Sequence, residues 1–152
     1  MVKIRNATAL DLPTMANMGE AMHDESPQYR DRTFNRRKCT CLALMLIEAR
    51  FGCALVAEDA GELIGMFMGV AQEQYFGDDI QTTDLLLYVK PEARGGRAML
   101  KLVRAYEAWA ESLGATDIIL GVSTGVLAKQ TVHIYEKLGY TMFSYGLVKA
   151  KG

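Results

Sequence analysis

The sequence predicts an α/β fold, a mixed sheet with helices on both faces, and three observations carry that reading. Apolar runs of strand length alternate with stripes of apolar residues at helical spacing. Glycine and proline punctuate the changes of period. The chain has 152 residues, 50% of them hydrophobic and 23% charged, which suits one domain over residues 1–152 with one core.

The elements follow in order. Val2 to Arg5 reads as a short strand. Leu12, Met15, Ala16, Gly19 and Met22 then recur at helical spacing behind the cap candidates Thr8 and Asp11, with Pro13 tolerable only in a first turn. That helix stops before Pro27, and Asp24 to Asn35 is a polar segment without period. Leu42, Met45, Leu46 and Ala49 mark a second helix, ended by Phe51-Gly52. Cys53–Ala57 and Leu63–Ala71 flank Glu58-Asp59-Ala60-Gly61-Glu62, which reads as a hairpin turn. A second polar connection, Gln72 to Gln81, leads to a strand from Asp84 to Val89 that Pro91 ends. Met99, Leu102, Val103, Tyr106, Trp109, Ala110 and Leu113 stripe a third helix, stopped by Gly114. Thr116–Val122 is the next strand. Leu127, Thr131, Ile134, Tyr135 and Leu138 mark a fourth helix, and Tyr140–Val148 reads as the closing strand or strand pair. The order is β-α-α-β-β-β-α-β-α-β.

Charge and cysteine usage narrow the function classes. Seventeen basic against eighteen acidic side chains give a formal net charge of −1, which argues against a dedicated nucleic-acid binder. Arg30, Arg32, Arg36, Arg37 and Lys38 form the one basic cluster, read as a solvated loop and helix face. Cys39, Cys41 and Cys53 all lie in apolar segments, and no His pair or second Cys pair completes a zinc-like pattern, so no metal is expected. The N-terminus lacks the apolar run of a signal peptide. The longest unbroken apolar stretch, Leu63 to Ala71, falls far below the ~18–20 residues of a membrane helix. The expectation is a soluble, cytoplasmic protein with reduced thiols and no membrane partner.

The chemically informative stretch is Leu85-Leu86-Leu87-Tyr88-Val89-Lys90-Pro91-Glu92-Ala93-Arg94-Gly95-Gly96-Arg97-Ala98-Met99. A buried strand meets a proline stop, then a basic glycine-rich turn, then the start of an amphipathic helix. Unpaired backbone N–H groups converge there and the helix dipole adds partial positive charge, so the turn suits a pyrophosphate. Neither a Gly-x-Gly-x-x-Gly fingerprint nor a P-loop is present. Taken alone, two glycines and two arginines equally describe an ordinary strand-to-helix turn.

With the order of elements added, the chain resembles the GNAT superfamily of N-acetyltransferases, and more narrowly its short phage and bacterial members. The acyl-CoA loop of that family follows Arg/Gln-x-x-Gly-x-Gly/Ala after a Val-x-Pro strand end, and Val89, Pro91, Arg94 and Gly95 fall in place. The family's Tyr-Glu-Lys-Leu-Gly-Tyr/Phe signature is present as Tyr135 to Tyr140. The likeness covers nearly the whole chain and implies a mostly antiparallel central sheet. Three positions depart from the pattern: Arg97 replaces the loop's middle glycine, Met99 its terminal Gly or Ala, and Ala128 an Asn common before the helix Tyr. The Arg97 backbone N–H still serves a phosphate if its φ is negative and its side chain points outward.

The resemblance implies acetyl transfer from acetyl-CoA to an amine, on a small molecule or a protein, by direct attack in a ternary complex. It places the donor against Tyr88, Val89, Arg94, Gly95, Gly96, Arg97, Ala98 and Met99. Backbone N–H groups around Tyr88 and Val89 would contact pantetheine and the reacting carbonyl, because the family splays the strands Leu85–Val89 and Thr116–Val122 apart. Deprotonating an alkylamine of pKa ~10.4 at pH 7 costs roughly 4–5 kcal/mol, so a base is needed. The candidates are Asp84, Glu73, and Glu25 or His23; Asp84 is chosen. Strand parity groups Asp84 with Leu86 and Tyr88, so it reaches the site only across a bulge. Tyr135 matches the family's acid, while its spacing alone suits a core tyrosine. His133, about 200° around the helix from Tyr135, reads as solvated. His23, Glu25, Ser26, Tyr29 and Glu73 belong to the segments that shape the family's acceptor pocket, and His23 equally suits a helix end. The resemblance leaves a homodimer through strand or helix edges open. The rival reading is an acetyltransferase-like binding module, phage-derived and aimed at a host protein, with catalysis weakened or lost.

Overall fold

A computed structural model describes residues 1–151. The elements are β1 (Lys3–Asn6), a 3-10 turn (Ala9–Asp11), α1 (Leu12–Glu25), α2 (Arg36–Glu48), β2 (Gly52–Asp59), β3 (Glu62–Glu73), β4 (Ile80–Val89), a second 3-10 turn (Pro91–Ala93), α3 (Ala98–Ser112), β5 (Asp117–Ile119) and α4 (Ala128–Lys137). The start of α1 is fixed by Asp11, whose carboxylate accepts the Thr8 N–H at 2.8 Å and the Arg5 guanidinium at 2.8 and 2.9 Å. Asn35 caps α2 by accepting the Lys38 N–H at 2.9 Å.

The sheet order is β1-β2-β3-β4-β5, antiparallel from β1 to β4 and parallel only between β4 and β5. β2 and β3 close through Ala60-Gly61, both at positive φ (52° and 81°), the geometry of a two-residue type I′ turn. Period-2 alternation then divides the apolar residues into two layers. Cys53, Leu55, Ala57, Phe67 and Val89 pack on Ala98, Leu102 and Tyr106 of α3. Ala54, Val56, Met66, Met68 and Tyr88 pack on Met15 and Met18 of α1 and on Ala43 and Leu46 of α2. Helices thus cover both faces, as the sequence pattern predicts.

A bulge interrupts β4. Met68 pairs with Leu86 but Gly69 pairs with Asp84, which leaves Leu85 without a partner. Gly69 permits this, since a Cβ there would lie 2.8 Å from the Thr83 carbonyl oxygen. Parity switches at the bulge: Thr82 faces α3 below it, where Tyr106 lies 3.0 Å away, and Leu87 and Val89 face α3 above it. The grouping of Asp84 with Leu86 and Tyr88 is therefore corrected, because the extra residue Leu85 sits between them.

Two boundaries also differ from the sequence reading. β4 begins at Ile80 rather than Asp84, since Gln81, Thr82 and Thr83 pair with β3 and with β5. The closing strand expected over Tyr140–Val148 is absent, and this segment carries no regular structure. β5 pairs with β4 for three residues only, and the chain then leaves the ladder, so no straight edge extends to receive another strand. Tyr145 and Leu147 are exposed instead. Among the described residues no helix is long and apolar enough to cross a membrane.

Candidate functional site

The early end of the β4–β5 pairing makes the site. From Asp84 onward β4 loses its β5 neighbour, and the segment 120–124 diverges from it. A cavity of about 220 Å³ opens between them, bounded by β4, the turn before α3, residues 121–124 and α4. The β4 backbone from Asp84 to Val89 is paired on its β3 side alone, so its other edge presents N–H and C=O groups to this cleft.

At one end stand Ala93, Arg94, Gly95, Gly96 and Met99. Gly95 has φ +87°, a left-handed conformation that side chains other than glycine adopt at a cost, although the space around it is open. The backbone N–H groups of Gly95, Gly96 and Arg97 find no backbone acceptor among the described residues. With the free amides of the first α3 turn they supply unpaired donors at the positive end of a 15-residue helix, and Gly95 and Gly96 line the cavity whereas Arg97 and Ala98, also expected at the donor, lie outside its lining. Arg97 has φ −94° and an exposed side chain, so it meets the condition under which its amide remains usable. Ala98 is buried beneath the turn as the first helical residue.

Arg94 does not simply face an anion. Its Nε donates to the Val89 carbonyl at 2.9 Å, its two terminal nitrogens donate to the Glu25 carboxylate at 2.5 and 2.6 Å, and its guanidinium lies 5.7 Å from the Tyr88 ring centroid. The pair holds the Glu25 carboxyl below its ordinary range and the guanidinium above its own. Two residues assigned separately, one to donor and one to acceptor, are thus joined across the cleft.

At the other end the bulge brings Asp84 to the cavity wall, where its Oδ1 accepts the Gly121 N–H at 2.9 Å. Burial pushes this carboxyl up to about 6, against the lowering effect of the Gly121 amide. Tyr135, on α4, lines the same cavity and is 6% exposed. Burial, then the Asp84 charge, raises its phenol above the ordinary range. The Tyr135 of the sequence reading is therefore both buried and open to the cleft.

The remaining acceptor candidates scatter. His23 is half-buried, with Nδ1 3.1 Å from Asp24 Oδ1 and Nε2 2.7 Å from the Arg32 carbonyl; the Asp24 hydrogen bond raises its pKa. It and Tyr29 line a neighbouring cavity of about 400 Å³ between α1, α2 and the sheet. Glu73 is not brought to either cavity. It pairs with Ile80 at the hairpin end of β3, four residues beyond Gly69, or about 13 Å at strand rise. His133 lies outside both linings.

The sequence reading places Ser26 in the acceptor loop beside Glu25 and Tyr29 but gives it no bond of its own. It is fully buried, its Oγ donates to the Thr124 carbonyl at 2.5 Å, and it accepts the Gln28 and Tyr29 N–H groups at 3.2 and 3.3 Å. This ties the loop after α1 to the segment that walls the cleft. The Ser26-Pro27 pair was legible as a helix stop, but its long-range bond had no local signature. Among the described residues no group of three His, Cys, Asp or Glu side chains could hold a metal ion.

Comparison with known proteins accords with this geometry. The sequence profile of the acetyltransferase (GNAT) family matches residues 15–140. No curated relative matches the chain. Similar solved structures include a ribosomal-protein-alanine N-acetyltransferase from Brucella melitensis biovar Abortus 2308, at 18% identity and TM-score 0.73, covering 100% of both chains. An aminoglycoside acetyltransferase from an uncultured soil metagenomic sample gives 15% identity and TM-score 0.74, covering 100% of this chain and 99% of that one. AAC(6′)-Iy, in complex with the bisubstrate analogue CoA-S-monomethyl-acetylneamine, gives 16% identity and TM-score 0.78, covering 100% and 99%.

Proposed function

We propose, from the premise that this chain belongs to the acetyltransferase (GNAT) family, that its splayed strands form a cleft for direct acetyl transfer to an amine in a ternary complex. The family uses acetyl-CoA as acyl donor, and the chain is an N-acetyltransferase. The residues present fit that donor. The amides of Gly95, Gly96 and Arg97 and the α3 N-terminus suit a pyrophosphate, and the free β4 edge suits an amide-bearing pantetheine arm.

The observation that carries this reading is one continuous cavity with the amide cradle at one end and Asp84 with Tyr135 at the other. Asp84 serves as the proton acceptor for the attacking amine, directly or through one water. A carboxylate with a pKa of about 6 is ionised at neutral pH yet more basic than an ordinary one, which reduces the uphill proton transfer. Free N–H groups of β4 donate to the carbonyl oxygen as it gains charge. Tyr135, protonated throughout the neutral range, donates a hydrogen bond to the departing sulfur. Arg97 departs from the family loop in residue type, yet its φ of −94° keeps its unpaired amide usable, which supports retained donor binding over a module that has lost it.

The test is thermal stabilisation by acetyl-CoA compared with dephospho-CoA, followed by CoA release from acetyl-CoA with a pool of primary amines. Stabilisation by several degrees at millimolar ligand is expected, and its absence removes the reading. Tyr135→Phe is expected to lower kcat by about 10–100-fold with the Kd for acetyl-CoA unchanged.

A further inference from the structure

We infer that the acceptor is an amine carried on an apolar body whose far end is anionic, held in the α1–α2 cavity with its amine directed at Asp84. This deepens the acetyltransferase reading and rests on it. The cavity of about 400 Å³ is of small-molecule size and shares Met22, Leu85, Leu86, Ser123 and Thr124 with the cleft, so a molecule in it reaches the reaction cavity past these residues.

Its walls define what fits. Met15, Met22, Phe34, Met66, Met68 and Leu86 supply an apolar lining in which four of the six are methionine. Thioether side chains adapt their shape to varied apolar guests, and a polar body would lose hydration there without compensation. The charged side chains of the lining are all of one kind. Arg32 and Lys38 are exposed at its α2 side, and neither forms an ion pair among the described residues. His23 also lines it, bonded to Asp24 and the Arg32 carbonyl. No carboxylate lines this cavity, whereas the adjoining cleft is lined by Asp84 and by Glu25 in its pair with Arg94.

Charge is therefore polarised along the acceptor path, with the Asp84 carboxylate at the reacting end and Arg32 and Lys38 at the far end. An amine with a carboxylate or similar anion across an apolar spacer complements both ends. A polycationic amino sugar meets two uncompensated cations and an apolar wall.

The experiment uses the full chain. Acetyl-CoA binding is first measured by calorimetry, and CoA release is then followed with three probes: 4-(aminomethyl)benzoate, benzylamine and kanamycin. The expected kcat/KM for 4-(aminomethyl)benzoate exceeds that for benzylamine by tenfold or more, with kanamycin lowest. In the Arg32→Glu/Lys38→Glu double variant, shown folded by its melting curve, the ratio of the two benzyl substrates is expected to fall below one. Calorimetric binding of 4-(aminomethyl)benzoate to the CoA-bound enzyme is expected to weaken in parallel. A wild-type ratio near one, a ratio unmoved by the double variant, preference for kanamycin, or acetyl-CoA binding without turnover of any probe overturns the inference while leaving the donor site intact. Failure to bind acetyl-CoA overturns the acetyltransferase reading itself.

Discussion

The two sides of the cleft are built from different parts of the chain's chemistry. The proposed donor side is backbone: the unpaired edge of β4, the amides of Gly95, Gly96 and Arg97, and the N-terminus of α3. The proposed acceptor side is side chain: methionines, Phe34, Leu86 and a cationic fringe, drawn from α1, the loop before α2, α2 and two strands. A backbone site binds one invariant group by geometry, while a side-chain site can be re-lined without disturbing the fold. Substitutions should therefore act on conformation on one side and on charge or apolar surface on the other.

Asp84, where the two sides meet, gives the largest expected effect. Asp84→Asn keeps an acceptor for the Gly121 N–H but cannot take a proton, so kcat/KM should fall by about 10²–10⁴-fold. Stability should move the other way. A carboxyl raised to about 6 by burial binds its proton more tightly folded than unfolded, so wild-type stability declines as pH rises from about 4 to about 6 and stays lower above. The deficit is on the order of 2–3 kcal/mol. The Asn variant should melt higher than wild type at pH 7.5 and equally at pH 3.5, while wild-type kcat/KM climbs with pH through about 6. A variant that is less stable at pH 7.5 would show that Asp84 is structural.

Donor conformation comes next. Gly95→Val places a β-branched residue at φ +87° in open space, so it meets strain rather than a clash. The expected cost is about 1–2 kcal/mol, expressed as roughly tenfold weaker acetyl-CoA binding by calorimetry. The amine KM should remain within a factor of two. If both substrates weaken equally, the two sides are not separable.

The division also explains what the sequence made legible. The donor side is encoded in contiguous residues, Val89 to Met99, where proline, glycine and arginine spacing reports backbone geometry directly. Asp84 was a conditional candidate because strand parity opposed it, and the condition, an extra residue at Leu85, depends on pairing with Gly69 fifteen positions earlier. The proposed acceptor cavity gathers Met15, Phe34, Met66 and Leu86 from three elements and a loop, and no local spacing announces such a meeting. Glu73 was misplaced for the same reason: its proximity depended on where a hairpin turned. The missing strand at Tyr140–Val148 shows the converse, since alternation there favours a strand but β5 offers too short an edge.

Glu25 reaches from α1 to Arg94 of the donor turn, and its effect should be intermediate. Glu25→Gln breaks a bidentate, partly buried pair with Arg94, for an expected loss of about 1–2 kcal/mol of stability measured by denaturant melts at pH 7. Because Arg94 holds the Glu25 carboxyl low, this contribution is present above the ordinary carboxylate pKa and disappears as pH falls below it, so wild type and variant should converge in acid. A constant difference across that range would mean that Glu25 contributes packing rather than charge.

Arg97→Gly should have the smallest effect, although it restores the glycine that the family loop usually carries. Residue 97 has φ −94°, a conformation that arginine adopts freely, so glycine relieves no strain. Its side chain is exposed and its amide is already unpaired, so the mutation opens no additional approach to phosphate. What it removes is one screened positive charge near the end of α3, and glycine adds some freedom to the unfolded chain. Each is worth under about 1 kcal/mol, so acetyl-CoA affinity should weaken by no more than about fivefold, and less at 0.5 M salt than at 0.05 M. If the glycine variant instead bound acetyl-CoA tenfold more tightly, the Arg97 side chain would be holding the donor away. The backbone cradle would then be obstructed in the wild type, and the contrast between a conformational donor side and a chemical acceptor side would fail at this residue.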